Sequence, residues 1–293
     1  MTSLMTHCRR TLSGGAAAVA LTATMPAAVA TAMVLPTAAR TAQIPAYSHI
    51  VVVIEENKAY SQIIGNPKAP YINSLASEGA LFTQSFGITY PSEPNYLALF
   101  AGSTFGLTTD SCPHSFAAAS LGSELIAAGL SYSGYSGAMP SQGYEGCFKG
   151  AYARKHNPTP NFSKLPHSGN KTFAEFPASF DSLPTVSFVD PDLVDDMHSA
   201  SIAIGDTWLN DHLSSYVTWA MTHNSLLILT WDTDNKTAGN HIPTIFAGAH
   251  IKAGQYSESI THYNVLRTIE QAYGLPHAGA SAKATPITNV FSG

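Results

Sequence analysis

An α/β fold, with a mostly parallel central sheet sandwiched by helices, follows from three features of this 293-residue chain. Residues 49–54, 185–189 and 225–231 are continuous apolar runs, the pattern of strands buried on both faces. Each run stops at acidic residues: Glu55-Glu56-Asn57, Asp190-Pro191-Asp192 and Asp232-Thr233-Asp234. Helix-like stretches lie between and beyond them, so strand and helix alternate along the chain.

The helical stretches are 71–78, 95–101, 121–128, 205–221 and 262–273. Leu209, Leu213 and Val217 share one face of the fourth, and Gly274 stops the fifth. Residues 242–248 read as a further strand. In a parallel sheet of this kind, ligands bind outside the carboxyl ends of the strands, which here are the acidic ends. Residues 134–170, rich in Gly, Ser, Pro and aromatics, read as a long excursion over the sheet edge. No internal repeat is present. At 45% hydrophobic residues the composition is globular, and about 250 residues form a single domain, 45–293, with one large core.

Charged residues make up only 11% of the chain and the net charge is -5. With no basic stripe to neutralise phosphates, nucleic acid is excluded as a partner. Residues 1–40 read as an export signal and linker. Arg9 and Arg10 precede an Ala/Val/Leu stretch from Ala16, followed by small-residue sites such as Ala28-Val29-Ala30. Gly14, Gly15, Thr22, Thr24 and Pro26 interrupt that stretch below the ~20 apolar residues of a spanning helix, so the mature chain has no integral membrane segment. Export leaves Cys112 and Cys147 as a pair, which predicts a disulfide in a secreted protein.

Two carboxylates and an amide at the end of a buried strand are costly to desolvate unless a cation or hydrogen bonds offset them. Alternation sends Glu55 and Glu56 to opposite faces, leaving one of them beside Asn57 at the turn. Asp232 supplies a further oxygen from a second strand end, and such donors suit magnesium, calcium or manganese, and less typically zinc. Pro94 suits a first helical turn, which sets Ser92 at a helix N-terminus, either as a cap or as a nucleophile stabilised by the dipole. His198, between a strand-end loop and a helix, is a candidate phosphate-holding group or general acid. Asp206 reads as a helix cap. His241 and His262 read as structural.

The segments HIVVVIEEN (His49 to Asn57), PSEPNYLALFAG (Pro91 to Gly102), DDMH (ending at His198), Gly205-Asp206, TWD (ending at Asp232) and HYNVLRTIE (His262 to Glu270) carry a resemblance. In order and spacing they resemble the phosphoesterase family of secreted bacterial acid phosphatases, phosphatidylinositol-3-phosphatase type, and phospholipase-C-like enzymes. The resemblance runs from about Ser48 to Phe291 and implies an alkaline-phosphatase-like fold. It makes Ser92 nucleophile and metal ligand, Glu56, Asn57 and Asp232 ligands of a divalent metal ion, Asn95 a phosphate contact, and His198 a phosphate contact or proton donor. The implied activity is a secreted, metal-dependent phosphomonoesterase in which Ser92 forms a phosphoseryl intermediate. The implied partner is a phosphomonoester, with a phosphoinositide headgroup among the options.

Two positions depart from the family pattern. Thr233 stands where an acidic residue usually follows the aspartate, and Tyr90 stands where relatives often carry His. Thr233 brings an oxygen without charge, unless Asp234 bends in. Tyr90, with an ordinary pKa near ~10, is a poor acid near neutrality. Two alternatives stay open: a phospholipase-C-like phosphodiesterase, since the same nucleophile and metal can serve diesters, and a secreted phosphate- or phosphoinositide-binding protein that has lost turnover, which these two departures motivate.

Overall fold

In the computed structural model, which describes residues 43–292 together with Leu12, Gly14 and Gly15, the first apolar run forms β1 (His49–Glu55). Its register pairs it in parallel with the other two predicted runs. In chain order there follow α1 (Tyr60–Ile63), α2 (Pro70–Glu78), β2 (Ala80–Phe86), α3 (Glu93–Ala101), α4 (Leu121–Ala127), β3 (Tyr132–Ser136), β4 (Phe148–Lys149), β5 (Tyr152–Ala153) and β6 (Asn170–Thr172). The chain continues with β7 (Val186–Asp190), α5 (Ile202–Ala220), β8 (Ser225–Trp231), β9 (His241–Gly248), β10 (Gly254–Tyr256), β11 (Ile260–Thr261) and α6 (His262–Ala272).

The main sheet runs β10-β2-β9-β8-β1-β7-β3-β6, with β11 added alongside β2. Every pairing in it is parallel except those of β9, which runs against both β2 and β8. The expected mostly parallel sheet with helices on both faces is what forms. Ile50, Val52 and Ile54 face a core closed by α3, α4 and α6, whereas Val51 and Val53 face one closed by α1, α2 and α5. These β1 side chains are at most 1% exposed, and each contributes roughly 1.5–3 kcal/mol relative to exposure. That burial holds the strand in place although it ends in carboxylates.

Helix ends follow from local chemistry. Thr261 and Asn264 form a capping box at the start of α6, with the Thr261 N–H donating to Asn264 Oδ1 at 2.9 Å. Gly102 stops α3 in a left-handed conformation (φ 66°), where a Cβ would run into the Ala278 carbonyl. Asp206 does not cap its own helix. It lies inside α5 and accepts from the N–H groups of Tyr71 (3.2 Å) and Ile72 (2.8 Å), supplying the cap that Ala69 cannot give α2.

The excursion differs from its expected bounds, because Gly134 belongs to β3 and Asn170 to β6, two parallel partners in the sheet. The segment between them, 137–169, folds into the β4–β5 hairpin and short 3-10 turns. Cys112 and Cys147 form the expected disulfide, with Cα atoms 5.8 Å apart, tying this excursion to the loop after α3. Among the described residues no helix is long and apolar enough to cross a membrane. The expected export signal lies outside the described residues but for Leu12, Gly14 and Gly15.

Candidate active site

The carboxyl ends of β1 and β8 meet the N-terminus of α3. Glu56 follows β1 directly and is fully buried, and Asn57 turns the chain there with φ 54°, a left-handed conformation that Asn tolerates. That turn brings both side chains to one place. Glu55 points to the opposite face as expected, with neither carboxylate oxygen hydrogen-bonded.

Ser92 immediately precedes α3, yet its hydroxyl makes no cap. Instead Oγ donates to Glu56 Oε2 at 3.1 Å, and Tyr96, one turn along α3, donates to Glu56 Oε1 at 2.8 Å. Asn57 joins the cluster twice: its N–H donates to Asp232 Oδ1 at 3.1 Å, and its amide Nδ2 donates to Glu56 Oε2. Thr233 Oγ1 donates to Asn57 Oδ1 at 3.1 Å. Ser92, Glu56, Asn57 and Asp232 therefore share one buried cluster.

The helix terminus is less open to an anion than the sequence suggests. The N–H of Glu93 donates to Asp110 Oδ1 at 2.9 Å, Pro94 has none, and that of Asn95 donates to the Ser92 carbonyl at 2.9 Å. The Asn95 side chain faces the preceding loop. It accepts from the N–H groups of Ile88 and Thr89 and donates to the carbonyls of Thr89 and Pro91. Asn95 thus holds the loop that delivers Ser92.

Sequence reasoning missed His156. It sits inside the 137–169 segment, where nothing local distinguishes it, and the fold brings it under Glu56. Its ring stacks on Tyr96 at 5.3 Å, and Nδ1 lies 2.9 Å from Asp196 Oδ2. Nε2 comes within 3.0 Å of Glu56 Oε1 but out of line for a hydrogen bond. Burial, then the nearby Lys155 charge, holds His156 well below the usual histidine range. A neutral ring that donates from Nδ1 to the Asp196 carboxylate turns its Nε2 lone pair toward the cluster, the arrangement of a histidine ligand oriented by a carboxylate.

His198 is exposed at the outer side of the same cluster, its ring 5.5 Å from that of His156. Glu56, His156 and His198 offer ligand atoms that all lie within 4.8 Å of one another. His262 contributes from behind, with Nε2 donating to the Asp232 carbonyl at 2.8 Å. Asp234 does not bend inward: it accepts from the N–H groups of Lys236, Ala238 and Asn240 and from the Tyr90 hydroxyl, which closes its own loop.

The electrostatics fit a cation. Burial, followed by the negative charges of Asp232 and Asp196, pushes the Glu56 carboxyl well above its ordinary range. Burial lifts Asp232 to about 6 and Asp196 to about 7. Asp232 Oδ2 is buried without a hydrogen-bond partner. A divalent ion would satisfy that oxygen and relieve the crowded carboxylates, and the oxygen donors with imidazole nitrogen are chemically suited to one.

Comparison with known proteins bears on this cluster. Residues 66–276 match the Phosphoesterase family. The chain is 52% identical over 251 residues to the phosphatidylinositol-3-phosphatase of Mycobacterium tuberculosis, covering 85% of this chain and 84% of that protein. The chain belongs to the Phosphoesterase family. This phosphoesterase is also 30% identical, over 70% of its length, to an acid phosphatase of Aspergillus fumigatus, of which it spans only 51%. A Vibrio parahaemolyticus protein of the alkaline phosphatase superfamily shares its fold, with a TM-score of 0.57 at 13% identity, covering 84% of this chain and 72% of that one. The alkaline-phosphatase-like fold implied by the resemblance is the fold observed, and the phosphoesterase is a phosphoric ester hydrolase.

Proposed function

We propose that this phosphoesterase is an exported, metal-dependent phosphomonoesterase with Ser92 as nucleophile. The observation that carries the reading is the Ser92 hydroxyl, which is free of any capping role and donates to Glu56 at 3.1 Å inside a buried carboxylate cluster. Glu56, Asp232, Asn57 and Ser92 would hold the ion, with His156 completing the set from the other side. Turning the Asn57 amide over would direct Oδ1 at the ion and let Nδ2 donate to Thr233. When bound, the ion supplies a positive charge that screens the phosphoryl oxygens and favours the serine alkoxide.

The residues then divide the proton work. Glu56 accepts the Ser92 proton as Oγ bonds to phosphorus and the ester P–O bond breaks. His198, on the open side, gives a proton to the departing alcohol oxygen. A water attacks the phosphoseryl phosphorus, its proton going to His198, and the Oγ–P bond breaks. Oγ recovers its proton from Glu56 as inorganic phosphate leaves. Asn95 keeps Ser92 in place by bracing the 88–91 loop, and its expected phosphate contact would need a rotated side chain.

The disulfide supports an extracytoplasmic location. The name of the M. tuberculosis relative supports a phosphoinositide headgroup among the substrates. The test is hydrolysis of an aryl phosphate by purified protein with added Mg²⁺, Mn²⁺, Ca²⁺ or Zn²⁺, with peptide mapping of phosphoserine after acid quench. Label on Ser92 is expected. Absence of turnover with all four ions would overturn the reading, and release of lipid phosphate from phosphatidylinositol 3-phosphate vesicles tests the headgroup.

A further inference from the structure

A phosphomonoester enters as a dianion, and here it meets buried Glu56, Asp196 and Asp232. Neither of the two residues after Ser92 offers it a free N–H. Opposite charge beyond that of a bound ion has to come from side chains. Arg154 is buried and spends its guanidinium on Asn161 Oδ1 and the carbonyls of Glu145, His114 and Pro160. Lys58 is half-buried and donates to the Met197 carbonyl at 2.7 Å. Lys236 sits over the Tyr90 ring at 5.9 Å.

Lys155 is different. Its Nζ lies 3.2 Å from Asp110 Oδ2 and 3.4 Å from His198 Nε2, on the open side of the cluster, and the contact to Asp110 takes only one of its three N–H donors. Its placement is built from two directions. Asp110 bridges Lys155 to the first N–H of α3, next to Ser92. Two residues on, Cys112 is bonded to Cys147, whose carbonyl accepts from the N–H of Arg154 at 2.9 Å. The disulfide thus fastens together the loop that carries Asp110 and the 3-10 turn after β5 that carries Lys155.

Resting on the phosphomonoesterase reading above, we infer that Lys155 is the cation that contacts the second negative charge of the substrate phosphoryl group, and that Asp110 is its positioning residue. Together with a divalent ion, this ammonium makes the pocket selective for dianionic monoesters over monoanionic diesters. As a compact point charge it needs an anchor to hold it on target, which Asp110 provides.

The experiment compares Lys155→Ala, Lys155→Arg, Asp110→Asn and Lys58→Ala in kcat/KM for p-nitrophenyl phosphate and bis(p-nitrophenyl) phosphate. Calorimetric Kd for inorganic phosphate is measured in parallel on metal-loaded protein. Lys155→Ala is expected to lose roughly 10- to 100-fold on the monoester and on phosphate affinity, the range of a charged hydrogen bond, and less than about 3-fold on the diester. Lys155→Arg should recover most of the loss, and Asp110→Asn should fall between. Equal losses on both esters, an unchanged phosphate Kd, or a selective loss in Lys58→Ala instead would each overturn the assignment. If wild-type protein hydrolyses neither ester, the enzymatic reading fails, and the phosphate Kd of wild type against Lys155→Ala decides the role of Lys155 by itself. A folding defect in Lys155→Ala transfers the comparison to Lys155→Gln.

Discussion

Ser92 and Glu56, 36 positions apart, are joined by a 3.1 Å hydrogen bond in which the serine hydroxyl donates to Oε2, although Ser92 stands where a helix would use it as a cap. The hydroxyl is committed to the cluster and not to the helix. Ser92→Ala should therefore leave the thermal midpoint within about 2 °C of wild type, since no cap is lost. It should abolish aryl phosphate hydrolysis. An active variant would move the nucleophile elsewhere.

Asp196 sets the tautomer of His156 through the 2.9 Å contact at Nδ1. Asp196→Asn offers that ring either an amide donor or an acceptor, so the Nε2 lone pair is no longer guaranteed to face Glu56. A loss of roughly 10- to 100-fold in metal affinity or activity is expected, as for other partners of ligating histidines. Titration of activity against added metal reads this directly. An unchanged curve would show that His156 has no part in ion binding.

Metal should stabilise the fold, and more so as pH rises. Burial raises Asp232 to about 6 and Glu56 further above its ordinary value, so without metal both carry protons at acid pH. The sign follows: these raised carboxyls ionise in the unfolded chain before they do in the folded one, so the metal-free fold loses stability as pH climbs through 4 to 6. A cation replaces those protons and removes the loss. Thermal midpoints with and without Mg²⁺ or Mn²⁺ should separate by more at pH 7.5 than at pH 4.5, and a gap that narrows with pH would contradict the site.

Cys112 and Cys147 are 35 positions apart, and in the entropy model closing such a loop stabilises by roughly 3–4 kcal/mol. The double Ser variant is expected to lose stability of that order in denaturant unfolding. It should lose activity disproportionately, because the same bond fastens the 3-10 turn carrying Lys155 and His156. Full activity at temperatures where the variant remains folded would separate the disulfide from the site.

The expected strands and helices were legible where burial leaves a strong periodic signal. The run 225–231 has the bounds of β8, β1 extends its run by one residue, and β7 is shifted from its run by one residue at each end. β3 escaped notice because Tyr132–Ser136 (YSGYS) carries no aliphatic side chain, though it is wholly buried between β6 and β7. β2 follows α2 after a single glycine, so no loop signal marks its start.

By itself the sequence determined the strand ends at which carboxylate and amide side chains accumulate, the serine ahead of Pro94 and the cysteine pair, because each is a local pattern of residue types. Only the tertiary structure decided that His156 and Lys155 return to that place from a 137–169 excursion without regular periodicity. It likewise decided that Asp206 caps a neighbouring helix and that Asp234 closes its own loop. These contacts join positions up to 144 residues apart, and their partners are selected by packing and charge in three dimensions, which no local pattern in the chain encodes.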